Sequence, residues 1–252
     1  MPSSATTTGA FADAARLAEQ AAGIAQAGGD LADASVELTI AAADHVLAGN
    51  APAAAPLANQ ALALARRIGA PALIATALLN VGAAIAETNP EQARTCLRES
   101  RELSAALGYQ KARDLVWAAA IAFLSGDQAA TLELGRSAIR GLKWGGDRMW
   151  MGIVLYMIAG TLATTQPDAA AIIQGAAEAY LAASAGKPQL ISSALTEALG
   201  EERARELRAR GADMDFDQAL AYTLTQSTQA LNYLQPRDPA MSEPPRQGAD
   251  TA

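Results

Sequence analysis

The sequence predicts an all-α protein: a right-handed α-solenoid of antiparallel helix pairs, with about ten or eleven helices. Three observations carry this. Of 252 residues, 51% are hydrophobic but only 4% aromatic. Alanine makes up much of the difference, and it is both the best helix former and small enough to let helices approach closely. Alternating runs of β-branched and aromatic residues, which would mark strands, are absent. Helix-stopping glycines also recur: Gly28, Gly69, Gly108 and Gly145 lie 41, 39 and 37 residues apart. A period near 40 with two helices per unit signals stacked repeats, none of which buries its apolar face alone.

The elements follow from their breaks. The first nine residues are polar and small, and predict a disordered N-terminus. A helical-repeat domain is expected over 10–234. Its helices end in turn at "AGGD" (Ala27–Asp30), "AGNAP" (Ala48–Pro52), "IGAP" (Ile68–Pro71), "ETNPE" (Glu87–Glu91), "LGYQ" (Leu107–Gln110), "SGDQ" (Ser125–Gln128), "WGGD" (Trp144–Asp147), "TQPD" around Pro167, and "AGKPQ" (Ala185–Gln189). Each break offers Gly, Asn or Pro to stop one helix, or Asp to cap the next. Residues 235–252, "QPRDPAMSEPPRQGADTA", are Pro-rich and polar, and predict a second disordered tail.

One segment invites a membrane reading. Met149 to Pro167 carries no charge. A span needs about 20 apolar residues, and this stretch ends in polar "TTQP" and lacks basic flanks. It reads as a buried inner helix. The N-terminus has no basic region followed by an apolar one, so no secretory leader is expected.

The clearest unit is "IGAPALIATALLNVGAAIAETNPEQARTCLRESRELSAALG". Leu78, Gly82 and Ile85 share a face of its first helix, and Ala93, Leu97 and Ser100 share one of its second. It resembles a loosened tetratricopeptide unit, with Leu and Ile at the aromatic positions.

The chain then closes on "LGEERARELRARGADMDFDQALAYTL". Glu201 and Glu206 each precede an arginine by four residues, in the favourable order, worth about 0.2–0.5 kcal/mol per pair. Leu199, Ala204 and Leu207 supply a thin apolar stripe, and Gly211 is expected to end the helix. Asp215 and Gln218 can form a capping box for the next. With acids interspersed among the arginines, the helix reads as a solvated face and not a phosphate reader. This closing segment, with Ala171, Gly175, Ala176, Ala177 and Glu178 before it, resembles the end of the tetratricopeptide-like region in large bacterial signalling ATPases. Those include the ATP-binding LuxR-type transcriptional regulators and the adenylate cyclase–ATPase–repeat proteins. The resemblance covers roughly Ala61 to Leu224. It departs at the capping box, where the family commonly has Ser or Thr with Glu. The family's P-loop, cyclase and helix-turn-helix motifs are not found in this sequence.

Chemistry is otherwise sparse. The only Gly-Lys pair, in "LAASAGKPQ", has Leu181 where a P-loop needs its first glycine and Pro188 where it needs a hydroxyl. His45 is the only histidine and Cys96 the only cysteine, too few for zinc or an internal disulfide. Cys96 reads as a buried thiol, and His45 as a helix-end residue favoured by the C-terminal dipole. Asp213, Asp215 and Asp217 read as turn and capping residues. A net charge of −7 disfavours nucleic acid and anionic membranes.

These readings predict a non-enzymatic, cytoplasmic protein-interaction or effector-sensing module with no cofactor and no metal. The residues expected to contact a partner are Asn80, Trp117, Trp150 and Tyr156. The aromatics can serve either as inter-repeat core or as the lining of a recognition groove. The resemblance implies a regulator or ATPase chain as partner, or a peptide or small effector held in a concave groove. The alternatives are a truncated remnant without independent activity, or a stand-alone enzyme.

Overall fold

The computed structural model describes residues 5–108, 112–143, 145, 147–182 and 194–234, and gives the backbone alone for residues 5–10, 182 and 194. The described residues form twelve helices: α1 (Ala5–Ala27), α2 (Leu31–Leu47), α3 (Ala51–Ile68), α4 (Pro71–Ile85), α5 (Pro90–Ala106), α6 (Ala112–Leu124), α7 (Gln128–Leu142), α8 (Arg148–Leu162), α9 (Pro167–Ala182), α10 (Ala194–Leu199), α11 (Glu201–Ala212) and α12 (Phe216–Leu234). α1 opens ahead of the boundary expected at residue 10. The Pro-rich tail, Trp144 and the "AGKPQ" break lie outside the described residues.

The breaks work as turn chemistry requires. Side chains of Asp30, Asn50, Asn89, Asp127 and Asp147 each accept a hydrogen bond from the backbone N–H three residues on, at 3.0–3.4 Å. Each cap satisfies a helix donor that would otherwise lack a partner, and is worth about 1 kcal/mol. Gly69 ends α3 at φ 71, in the left-handed region. In the first turn it is Gly29, not Gly28, that takes this conformation. Gly200, at φ 77, separates the short α10 from the charged α11.

Short turns make consecutive helices antiparallel neighbours. α2, α4 and α6 each also touch the next even-numbered helix, whereas α1, α3, α5, α7 and α9 meet one another at most glancingly. Tight spacing on one side and open spacing on the other curves the stack, with the even helices on its inner side. Burial follows that division. In α3 only Ala54, Ala58, Ala61, Leu62 and Ala65 are buried, a stripe at helical spacing. In α8 nearly every residue from Trp150 to Leu162 is buried. That explains the uncharged stretch as an inner helix, and no helix among the described residues is long and apolar enough to cross a membrane.

Small residues set the distances between layers. A Cβ on Gly82 would lie 2.8 Å from Ile121 Cδ1, and one on Gly152 2.7 Å from Leu181 Cγ. The Ser35 and Ser100 hydroxyls donate to the carbonyls of Ala61 and Ala75 on the neighbouring helix, at 3.0 and 2.8 Å. The closest approach is between α9 and α11. A Cβ on Gly175 would sit 1.9 Å from the Arg208 carbonyl oxygen, and one on Gly211 1.8 Å from that of Ile172. Gly211 therefore does not terminate its helix as expected; it lies buried within α11 and lets the two backbones meet.

The last helix turns back. α12 starts on the expected capping box, with the Gln218 N–H donating to Asp215 at 2.9 Å and the Asp215 N–H to the Gln218 side chain at 3.1 Å. It then packs on α7, α8 and α9, with Lys143 at the end of α7 paired to Asp217 at 3.0 Å.

Alanine at Gly175 or Gly211 is expected to destabilise the protein by at least about 3 kcal/mol, since each methyl meets a backbone carbonyl that cannot rotate away. Gly23→Ala, on an exposed helix position with nothing within 4 Å, should stabilise it by roughly 0.5–1 kcal/mol. Urea titration of the three variants checks the contrast. Parent-like stability in Gly175→Ala would show that the α9–α11 crossing does not form.

Candidate functional site

The inner helices carry chemistry at i, i+4 spacing, which stacks side chains on one face. α2 contributes Ile40 and Asp44, α4 Thr76 and Asn80, and α6 Arg113 and Trp117. Together with Met149 and Trp150 of α8 they surround a cavity of about 270 Å³. Three of the four residues singled out in the sequence, Asn80, Trp117 and Trp150, therefore meet at one place. All three are buried, and the two rings pack edge to face with centroids 5.7 Å apart. Each ring joins adjacent inner helices and also lines the cavity.

The polar groups here are unequally satisfied. The Asn80 side-chain amide donates through Nδ2 to the Thr76 carbonyl at 3.1 Å. Its carbonyl oxygen Oδ1 is fully enclosed and has no partner. Turning the amide over would set two carbonyl oxygens against each other, so the hydrogen bond fixes the orientation of the amide. A buried acceptor without a partner costs roughly 1–3 kcal/mol, and such groups call for an explanation. Asp44, half-buried, has its carboxyl pushed up to about 6, mainly by loss of solvent, with His45 acting in the opposite direction. Arg113, the only basic residue among the described residues lining the cavity, lies over the Trp150 ring with its guanidinium carbon 5.3 Å from the centroid.

Tyr156 belongs to a different network. Its hydroxyl accepts from Gln174 at 3.4 Å, and the same Gln174 nitrogen donates to Glu178 at 3.2 Å. Burial raises the Tyr156 pKa most, with Glu178 adding to the shift and Gln174 and Arg208 opposing it. This residue ties α8 to α9 and does not line the inner cavity. Asp44 and Arg113 were missed in the sequence. The available signal was a charged residue on the apolar face of a helix.

The remaining candidates take structural roles. His45 Nε2 pairs with Glu19 at 2.9 Å near the end of α2. Cys96 is buried, and burial raises its thiol pKa. In α11 none of the expected within-helix ion pairs closes among the described residues. Instead Arg203 reaches Asp168 on α9 at 3.0 Å. No group of three or more metal-ligating side chains occurs among the described residues.

With this geometry in hand, comparison adds no relative: no protein-family model matches the chain, and neither a curated protein nor a solved structure does.

The raised Asp44 pKa has a testable sign. A carboxyl that holds its proton more tightly when folded contributes stability below its ordinary pKa near 4, and that contribution is lost as pH rises through about 6. Asp44→Asn should therefore match the parent at pH 3.5 and exceed it at pH 7.5 by roughly 1 kcal/mol, allowing for solvent screening of a half-exposed group. Denaturation curves at both pH values decide it. An equal gain at both would place the effect outside titration of Asp44.

Proposed function

We propose that this chain is a non-enzymatic helical-repeat module for protein interaction or effector sensing, and that the inner face of the even-numbered helices is its recognition surface. One observation carries this reading: four successive inner helices converge on a cavity lined by two tryptophans and by Asn80, whose Oδ1 is buried without a partner. Rigid elements that position an unsatisfied polar group in a mainly apolar hollow are what a binding site requires. The resemblance of the closing segment to signalling ATPases supports a regulator or ATPase chain as partner. On this reading the module works in the cytoplasm, and occupancy of its inner face biases a switch held by that partner.

The test uses the full chain, tagged and recovered from its native lysate. The captured partner is then purified and its affinity measured by calorimetry. Truncating either buried tryptophan would cost about 3–5 kcal/mol of stability, so Asn80→Leu and Asp44→Asn are the better probes. A regulator or ATPase chain that binds the parent saturably, and at least ten-fold more weakly once both residues are changed, supports the proposal. Undiminished binding by the doubly substituted protein would remove the inner face from the interaction. A folded parent that binds no chain and no small effector would reduce it to a remnant.

A further inference from the structure

We propose that the Pro-rich segment following α12, residues 235–245, docks back along that helix in a second groove, which shares no residue with the inner cavity.

The groove has a volume of about 980 Å³ and runs between α12, the start of α7 and the turn from α8 to α9. From α12 it takes Tyr222, Gln226, Gln229 and Tyr233. Their spacing of i, i+4, i+7 and i+11 places them on one stripe of the helix. Asp168 is the one charged residue among the described residues lining the groove, and its carboxylate accepts from Arg203 at 3.0 Å. The lining therefore presents amides, hydroxyls, two phenol rings and aliphatic carbon, with no unpaired charge. The side-chain amides of Gln226 and Gln229 have no partner among the described residues. Tyr233 and Leu234, the last two residues of α12, also line the groove and are 80% and 42% exposed.

The segment that comes next matches this lining. Residues 235–252 lie outside the described residues, so their sequence carries the argument. Polyproline II helix has three residues per turn and no internal hydrogen bonds. With that period Pro236, Pro239, Ser242 and Pro245 share a face without charge. Arg237 and Glu243 fall on the second face and Asp238 on the third. An uncharged, proline-bearing face thus meets an uncharged groove. Proline rings pack on aromatic side chains, and the unpaired carbonyls of such a helix accept from donors such as the Gln226 and Gln229 amides.

The lengths agree. Tyr222 and Tyr233 stand eleven residues apart, about 17 Å along an α-helix. Pro239 and Pro245 stand six apart, about 19 Å in polyproline II. Residues 235–238 remain to reverse the chain, and connections of two to six residues are common. Pro236 disfavours helix at Gln235, so the chain is free to turn where the groove begins. Composition predicts disorder for this segment because it has no apolar face to fold upon itself; the groove supplies one. A tether this short gives an effective concentration in the millimolar range, so docking with a Kd of about 100 μM already closes roughly nine grooves in ten.

Two experiments on the full-length protein test this. Trypsin cleavage after Arg246 should be at least ten-fold slower in the parent than in a free synthetic peptide of residues 235–252. Tyr233→Ser, at an exposed helix position, should bring the rate back to that of the peptide while the fold still melts cooperatively. In the second experiment labelled peptide 235–252 is added in trans and fluorescence anisotropy is read. Full-length protein carrying Pro236→Ser, Pro239→Ser and Pro245→Ser should bind it saturably, one per chain, and at least ten-fold more tightly than the parent, whose groove is filled. Adding Tyr233→Ser should abolish that binding. Cleavage of the parent at the free-peptide rate, or equal peptide binding by the parent and the triple variant, would overturn the proposal. Protection that disappears on dilution together with a dimeric mass would place the segment in a second copy's groove and overturn docking within the chain.

Discussion

Close approach between backbones governs this molecule. A chain rich in alanine and poor in aromatics has little side-chain volume with which to fill a gap between helices, so the helices must come together until the gap is gone. Dispersion then acts over many short contacts, each tiny and collectively large. The serine hydroxyls that reach a neighbouring helix's carbonyl are possible only at this spacing. The same closeness makes the interfaces intolerant: a single methylene at the α9–α11 crossing has nowhere to go. Interiors packed to crystal-like density transmit such errors and do not absorb them.

Those packing demands also explain what could be read from the sequence. The half-repeat of about 20 residues was legible because each turn needs its own cap, and Asp or Asn recurs where the next helix must start. The inner helix α8 was legible because burial on all sides leaves no polar face. The role of Gly211 was not. A glycine near the end of a charged segment looks like a stop signal, and only the position of Ile172, far away in sequence, shows it to be a point of contact. At the candidate site the tryptophans and Asn80 could be found as unusual residues in an alanine-rich chain. Their convergence with Asp44 depends on helix rotation about each axis, which spacing alone does not determine, and Tyr156 joined a separate network for that reason.

The inner layer places different demands on one surface. Trp117 and Trp150 hold α6 against α8, so they cannot be altered without loosening the stack. Asn80 carries a buried acceptor with no partner, and Asp44 a carboxyl whose charged form burial disfavours. Neighbouring side chains thus differ in what they give the fold: the aromatic rings provide rigid walls, and the two polar groups sit among them at a local cost. Natural binding sites commonly retain such locally unfavourable groups where function requires them.

The return of α12 across α7, α8 and α9 changes how the protein must come apart. In a plain stack each repeat depends only on its neighbours, so unfolding can begin at either end and proceed unit by unit. Here the contact between Lys143 and Asp217 joins segments far apart in sequence, and α7 through α12 close into a ring of mutual dependence. Among α1 to α5 the contacts run between consecutive helices and between α2 and α4, the inner helices of adjoining pairs. The two ends are therefore unequal: the N-terminal half can fray locally, while the C-terminal half opens as a cooperative unit or not at all. The cavity spans α2 to α8 and so crosses that boundary. Anything bound there would link a part of the chain that frays to a part that does not.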